Sequence, residues 1–143
     1  PMTGKGCTYP FQFSFPPDWR AGSFTEENGS DYITQVFPPG STTPIGTATK
    51  DPEHVQIAVL LAGTPSDPAS DPNWQPEAGT LTISGAKTVI YDRTSPSCEE
   101  VDRIAVADFS QHHFTFFMTT MPGKAKNDIA LFLGMLQSFM YLR

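Results

Sequence analysis

The sequence predicts an α+β fold, an antiparallel β-sheet of about six to seven strands with one long C-terminal helix packed on it. Three observations carry this. Strand-like segments recur from Phe11 to Thr119, the apolar period changes only after Pro122-Gly123, and strands never alternate with helices in a way that implies parallel crossovers. At 143 residues the chain fits one domain over 1–143, with residues 1–8 expected as a loose N-terminal segment. Aromatic side chains make up 12% of the sequence and supply a core, while 11 Gly and 14 Pro call for long, stiff loops. Nine basic against 15 acidic residues give a net charge of −6, which argues against a nucleic-acid or anionic-membrane surface. No apolar run reaches the roughly 18 residues of a membrane span.

Phe11-Gln12-Phe13-Ser14-Phe15 alternates strictly and reads as a strand with its phenylalanines on one face, ended by Pro16-Pro17. Trp19 follows as a corner anchor. Ser23–Glu27 and Ser30–Phe37 flank Asn28-Gly29, a pair suited to a two-residue type I′ turn. That turn places Phe24 opposite Ile33 and Thr25 opposite Tyr32. Residues 38–53 read as a loop. The strand His54–Leu61 is apolar on both faces in Ile57-Ala58-Val59-Leu60-Leu61, as expected of a central strand covered on both sides. Residues 63–77 read as a second long loop, of a length often tied to function. Thr80–Ser84 and Ala86–Asp92 are β-rich around Gly85, and Val101–Ala107 with Gln111–Thr119 form a second hairpin. In the latter, Phe114-Thr115-Phe116-Phe117-Met118 reads as core. Ile129, Phe132, Leu133, Leu136, Phe139 and Met140 then fall at helical spacing, predicting an amphipathic helix over Ala125 to Tyr141 that must bury its stripe on the sheet.

Few residues offer chemistry. Cys7 and Cys98 sit among polar neighbours; they are either joined, as in an exported protein, or two free thiols, and two cysteines alone make no zinc site. His112 and His113 are adjacent on a strand and point to opposite faces, so they do not share a metal without a bulge. His54 with Asp51 and Glu53, and Asp67, Asp71 and Asn73 in a Pro-rich loop, are weak metal-ligand candidates, the latter lacking the glycine and terminal glutamate of a calcium loop. Glu26, Glu27 and Asp31 crowd the first hairpin tip as an acidic docking point or a solvated edge. Trp74 is the candidate contact aromatic, with packing of its loop onto the sheet as the alternative. No Gly-x-Ser-x-Gly elbow, phosphate-cradling glycine loop or Cys-His nucleophile set occurs. No catalytic residue and no cofactor is assigned.

The opening Phe11-Gln12-Phe13-Ser14-Phe15-Pro16-Pro17-Asp18-Trp19 resembles that of PsbP-like domains. Ile83-Ser84-Gly85-Ala86 before Lys87–Tyr91 resembles their internal strand entry, and Met135-Leu136-Gln137-Ser138-Phe139 their closing helix. The resemblance implies the Mog/PsbP-like α/β/α sandwich, although the stretches where relatives carry extra helices are Pro-rich here. It further implies a non-catalytic, extracytoplasmic protein-interaction or ligand-binding module, with a protein or small ligand as partner and a monomeric state. The chain opens at Pro1, as expected of a processed product, and a signal or lipid anchor, if the protein has one, is expected in a segment outside it. Two other readings compete: a metal-assisted hydrolase using His54, Asp51 or the loop aspartates, and an intracellular adaptor resembling the nuclear Ran-binding members.

Overall fold

The computed structural model describes residues 2–3, 11–25, 32–42, 44–46, 55–62, 67–94, 101–109, 112–120 and 125–142. In chain order these form β1 (Met2–Thr3), β2 (Phe11–Phe13), β3 (Arg20–Thr25), β4 (Tyr32–Phe37) and β5 (Gln56–Ala62). A 3₁₀ turn at Pro68–Ser70 precedes β6 (Gln75–Pro76), β7 (Leu81–Ile83), β8 (Ala86–Thr88) and β9 (Tyr91–Thr94). The chain closes with β10 (Val101–Phe109), β11 (His112–Thr120), α1 (Ala125–Ser138) and β12 (Met140–Tyr141). Seven strands make one antiparallel sheet in the order β3-β4-β5-β11-β10-β9-β6, with β5 well inside it as its apolar run requires. The β7–β8 hairpin stands beside it, and β1-β2-β12 form a separate three-stranded ribbon.

Register follows the pleat. Phe24 lies opposite Ile33 and Thr25 opposite Tyr32, as the two-residue turn demands; the turn itself is outside the described residues. In the second hairpin, Ala105 and Ala107 face Phe116 and Phe114, small residues making room for rings on the same surface. That surface carries the core. Phe114, Phe116 and Met118 alternate inward from β11, Ile57 and Val59 join them from β5, and Phe132, Met135 and Leu136 descend from α1. Phe11 and Phe13 close the end of this layer, Phe11 stacking on Phe139 at 5.8 Å and meeting Phe114 edge-on at 5.3 Å.

Three elements differ from the sequence expectation. The aromatic strand stops at Phe13, and it pairs in the small ribbon rather than the main sheet. The stretch 63–77 is not wholly irregular, since it holds the 3₁₀ turn and β6. The helix ends at Ser138, not Tyr141. There Ser138 Oγ donates to the Met135 carbonyl at 2.7 Å and accepts from Ser14 N at 2.8 Å, while Phe139 N tightens the last turn onto Leu136 O at 3.2 Å. Released from the helix, Met140 and Tyr141 pair with Gln12 and Phe11. Phe139 is buried as its helical spacing implied, but Met140 is half exposed, because extended chain alternates where a helix would not. Ser138→Ala should therefore lower stability by about 1 kcal/mol, read from the urea midpoint.

The opposite sheet surface is covered differently. Only α1 supplies a helical layer among the described residues. Across β3, Ile45 packs so closely on Gly22 that a Cβ there would lie 2.8 Å from Ile45 Cγ2, and Gly46 N donates to Gln35 Oε1 at 2.8 Å. The Pro-rich chain thus takes a place that helices hold in the implied sandwich. Ala58 and Leu60 of β5 are half-buried on this side, against the deep burial of Ile57 and Val59.

Candidate functional site

Two Asp-Arg dipeptides, Asp92-Arg93 on β9 and Asp102-Arg103 on β10, meet in antiparallel register. Antiparallel pairing sets each aspartate across from the other strand's arginine, and the pleat sends the two pairs to opposite faces. On the outer face, Asp102 accepts from Arg93 Nη2 at 2.8 Å and from Thr119 Oγ1 at 2.8 Å, and the Arg93 guanidinium lies over the Trp74 ring at 4.5 Å. This holds the Pro-rich loop on the sheet. Trp74 is half-buried and partnered there, rather than projecting freely.

The inner pair is less complete. Arg103 is buried on the core side, with its Nε 3.1 Å from Asp92 Oδ1 and 4.0 Å from Glu77 Oε1. The contact with Asp92 is a charge contact outside hydrogen-bond alignment. Arg103 Nε, Arg103 Nη1 and Asp92 Oδ1 stay buried without a hydrogen-bond partner. Two carboxylates face one guanidinium, so the fully ionised group carries a net charge of −1. Burial, and then the Asp92 carboxylate by its charge and as a hydrogen-bond acceptor, raise the Glu77 carboxyl above its ordinary value of 4.5 against the pull of Arg103.

Folding thus favours protonated Glu77. Its contribution is fully present below about pH 4.5 and is lost as pH rises through the folded-state value. Glu77→Gln, which fixes the neutral form, should match the parent near pH 4 and exceed it in urea midpoint at pH 7. A loss at pH 7 would mean that attraction to Arg103 outweighs the burial and the repulsion from Asp92.

Glu77 also opens onto a cleft. Its main-chain N–H donates to the Ile90 carbonyl at 2.8 Å, fixing the chain after β6 against the approach to β9. The following turn, with Gly79 at φ +85°, bends away to start β7. Between this turn and the flank of α1 lies a cleft of about 200 Å³, lined by Glu77, Ala78, Gly79, Thr80, Leu81, Ile90 and Leu133. Leu81, Ile90 and Leu133 give it an aliphatic side, and Glu77 is the one titratable residue of the lining among the described residues. A second gap, between α1 and the sheet at Phe13, Phe116 and Phe132, is far smaller, about 10 Å³.

Other residues singled out in the sequence are dispersed. Asp71 Oδ1 accepts from Asn73 N at 2.9 Å, closing a local turn, and Asp67 uses its carbonyl to accept from Ser70 Oγ at 2.8 Å. No cluster of three or more metal-ligating side chains occurs among the described residues. His112 and His113 do face apart: His112 Nδ1 lies 2.6 Å from Tyr141 Oη, and His113 Nδ1 lies 2.9 Å from Asp108 Oδ1. Cys7, Cys98, Glu26, Glu27, Asp31, Asp51 and His54 lie outside the described residues. Sequence reading missed the group of Glu77, Asp92 and Arg103. The repeated Asp-Arg pair in two β-rich segments was its one signal, and Glu77 had none.

No family model matches the sequence, and no curated protein does. Solved structures share the fold. LpqN of Mycobacterium tuberculosis, described as involved in cell envelope biogenesis, aligns over 100% of this chain and 90% of its own, with TM-score 0.53 and 11% identity. A crystal structure from Bacteroides thetaiotaomicron VPI-5482 aligns over 93% of this chain with TM-score 0.56 and 9% identity. The chain spans 45% of the length of that structure. Cyanobacterial PsbP (CyanoP) of Synechocystis sp. PCC 6803 is similar over 85% of this chain and 92% of its own, with TM-score 0.44 and 14% identity. The fold is an α+β fold, with a seven-stranded antiparallel sheet and one C-terminal helix, and it is shared with LpqN.

Proposed function

We propose that this chain is a non-catalytic, extracytoplasmic binding module that holds a small ligand, or a side chain of a protein partner, in the cleft between α1 and the turn after β6. The single observation carrying this is the lining of that cleft. Among the described residues its lining combines aliphatic side chains with one acidic residue, a composition that recognises a ligand by shape and one charge. At about 200 Å³ it lies below the roughly 300–1,000 Å³ that drug-sized ligands need, so it suits a small molecule or one side-chain end. Likeness of fold to a protein involved in cell envelope biogenesis supports the extracytoplasmic reading, as does the composition, with two cysteines in polar surroundings. Among the described residues no helix is long and apolar enough to cross a membrane. Trp74, held over Arg93 on the outer sheet face, and the acidic residues Glu26, Glu27 and Asp31 are proposed as contacts with a protein partner separate from the cleft.

Two measurements test the reading. Native protein from its host should show Cys7 and Cys98 alkylated only after reduction, joined as one disulfide by mass spectrometry; alkylation of both without reductant overturns the extracytoplasmic assignment. A photo-crosslinker placed at Thr80 should capture a bound species that the same group at Lys87, exposed on β8, does not. Equal capture at both positions would overturn the cleft as the binding site.

A further inference from the structure

The geometry points to a definite ligand class for this cleft: we infer that it takes a primary ammonium group on a short aliphatic stem, with the charge at Glu77 and the stem against Leu81, Ile90 and Leu133. The inference rests on the cleft being the binding site. Three features of the structure converge on it.

The first is charge. Glu77 and Asp92 share one guanidinium, and Arg103 is buried with Asp92 at 3.1 Å but Glu77 only at 4.0 Å. Asp92 thus has the closer claim on the arginine, and Glu77 keeps uncompensated charge at the cleft. A cation arriving there meets a site already short of one positive charge, whereas an anion meets the Glu77 carboxylate with Asp92 behind it. The second is shape. The aliphatic wall is made of three branched side chains, one from each of β7, the approach to β9, and α1. A bare metal ion or a strongly hydrated one gains nothing from such a wall, while methylene groups lose contact with water on it. The third is size. A volume of about 200 Å³ admits a chain of a few carbons.

The ionised form of Glu77 that the cation requires is disfavoured by burial and by Asp92 in the empty cleft, and the incoming ammonium group offsets that repulsion. Ligand charge is therefore expected to matter more than ligand length. The same chemistry is presented by a free alkylamine and by a lysine side chain of a partner protein.

The test is a methyl NMR titration of the intact chain, observing Leu81, Ile90 and Leu133, with n-butylammonium, n-butanol and n-butyrate at equal concentration. The expected result is a saturable shift of these methyls by n-butylammonium, and binding at least about tenfold weaker for the alcohol and the acid. Glu77→Gln should weaken n-butylammonium by a similar factor while leaving the butanol response unchanged. The comparison among the three probes on the parent chain stands even if that variant folds poorly. Equal shifts by all three overturn the ammonium assignment and leave the cleft as a site. No shift by any of them removes the cleft along with it. Nα-acetyl-lysine methylamide separates the sources: binding as well as n-butylammonium assigns the site to a partner's lysine, and failure where n-butylammonium binds assigns it to a free amine.

Discussion

Phe114→Ala is expected to lower stability by about 3–5 kcal/mol. Phe114 is fully buried and touches rings from four directions: Phe11 at 5.3 Å, Phe139 at 4.9 Å, Phe109 at 5.9 Å and Tyr141 at 6.1 Å. These partners lie on β2, β10, β12 and the residue between α1 and β12. The ring thus ties the ribbon, the main sheet and the end of the helix into one layer. Removing it opens a cavity that several rigid neighbours line and cannot collapse to fill. Urea unfolding should show a lower midpoint with an unchanged slope, and Phe114→Leu, which keeps most of the volume, should cost about 1–2 kcal/mol. Phe117, half-buried one residue from Phe116 but on the opposite face, is the control. If Phe117→Ala costs as much as Phe114→Ala, the core does not lie where the alternation of β11 places it.

Arg103→Met is expected to cost about 3 kcal/mol at pH 7, because it leaves two carboxylates facing each other at a site built around one cation. The side chain of Arg103 is 8% exposed, whereas those of Asp92 and Glu77 are 30% and 33% exposed. Water therefore relieves the stranded carboxylates only in part. The loss should shrink toward acid. With Arg103 gone, the one influence that lowers the Glu77 carboxyl is removed, so folding favours its protonated form still more strongly. Protonation relieves the repulsion, so the penalty is smallest in acid and grows as pH rises. Combining Arg103→Met with Asp92→Asn should restore more than half of the loss, since the polar pair then goes as a unit. Additive losses in the double variant would show that Arg103 acts through its packing and not through charge.

Much of this molecule was legible in local pattern. The shift from alternating to helical period at Pro122-Gly123 announced strands first and one helix last, because those periods reflect which side chains share a face. Reading Asn28-Gly29 as a two-residue turn predicted the register of β3 against β4, and Phe24 does lie opposite Ile33 and Thr25 opposite Tyr32. Phe132, Leu136 and Phe139 were placed in the core by spacing alone, and the first two reach it along the helix as that spacing says. His112 and His113 were separated onto two faces by the same pleat argument, and their distinct partners, Tyr141 and Asp108, agree.

The end of the helix was not legible. Its apolar stripe runs on through Met140, and what stops it is the ribbon: Ser14 bonds Ser138, and Phe11 and Gln12 offer Tyr141 and Met140 a strand to pair with. Those partners are more than a hundred positions away, and helical periodicity contains no information about them. The cleft was hidden for the same reason. Glu77 sits among prolines in a stretch with no period, Leu133 belongs to the half-buried edge of an ordinary helix stripe, and Ile90 falls between two short strands. Only pairing β9 with β10 brings Asp92 to Arg103, and only folding the turn after β6 over the helix flank sets Glu77 beside them. Side-chain pattern alone thus determined which segments are strands, where the helix begins and which of their faces turn inward, since these are decided by neighbours within a turn or a pleat. The tertiary structure decided which strands adjoin, where the helix yields to a strand and which charges share a buried site, since those depend on groups that the chain brings together only once it has folded.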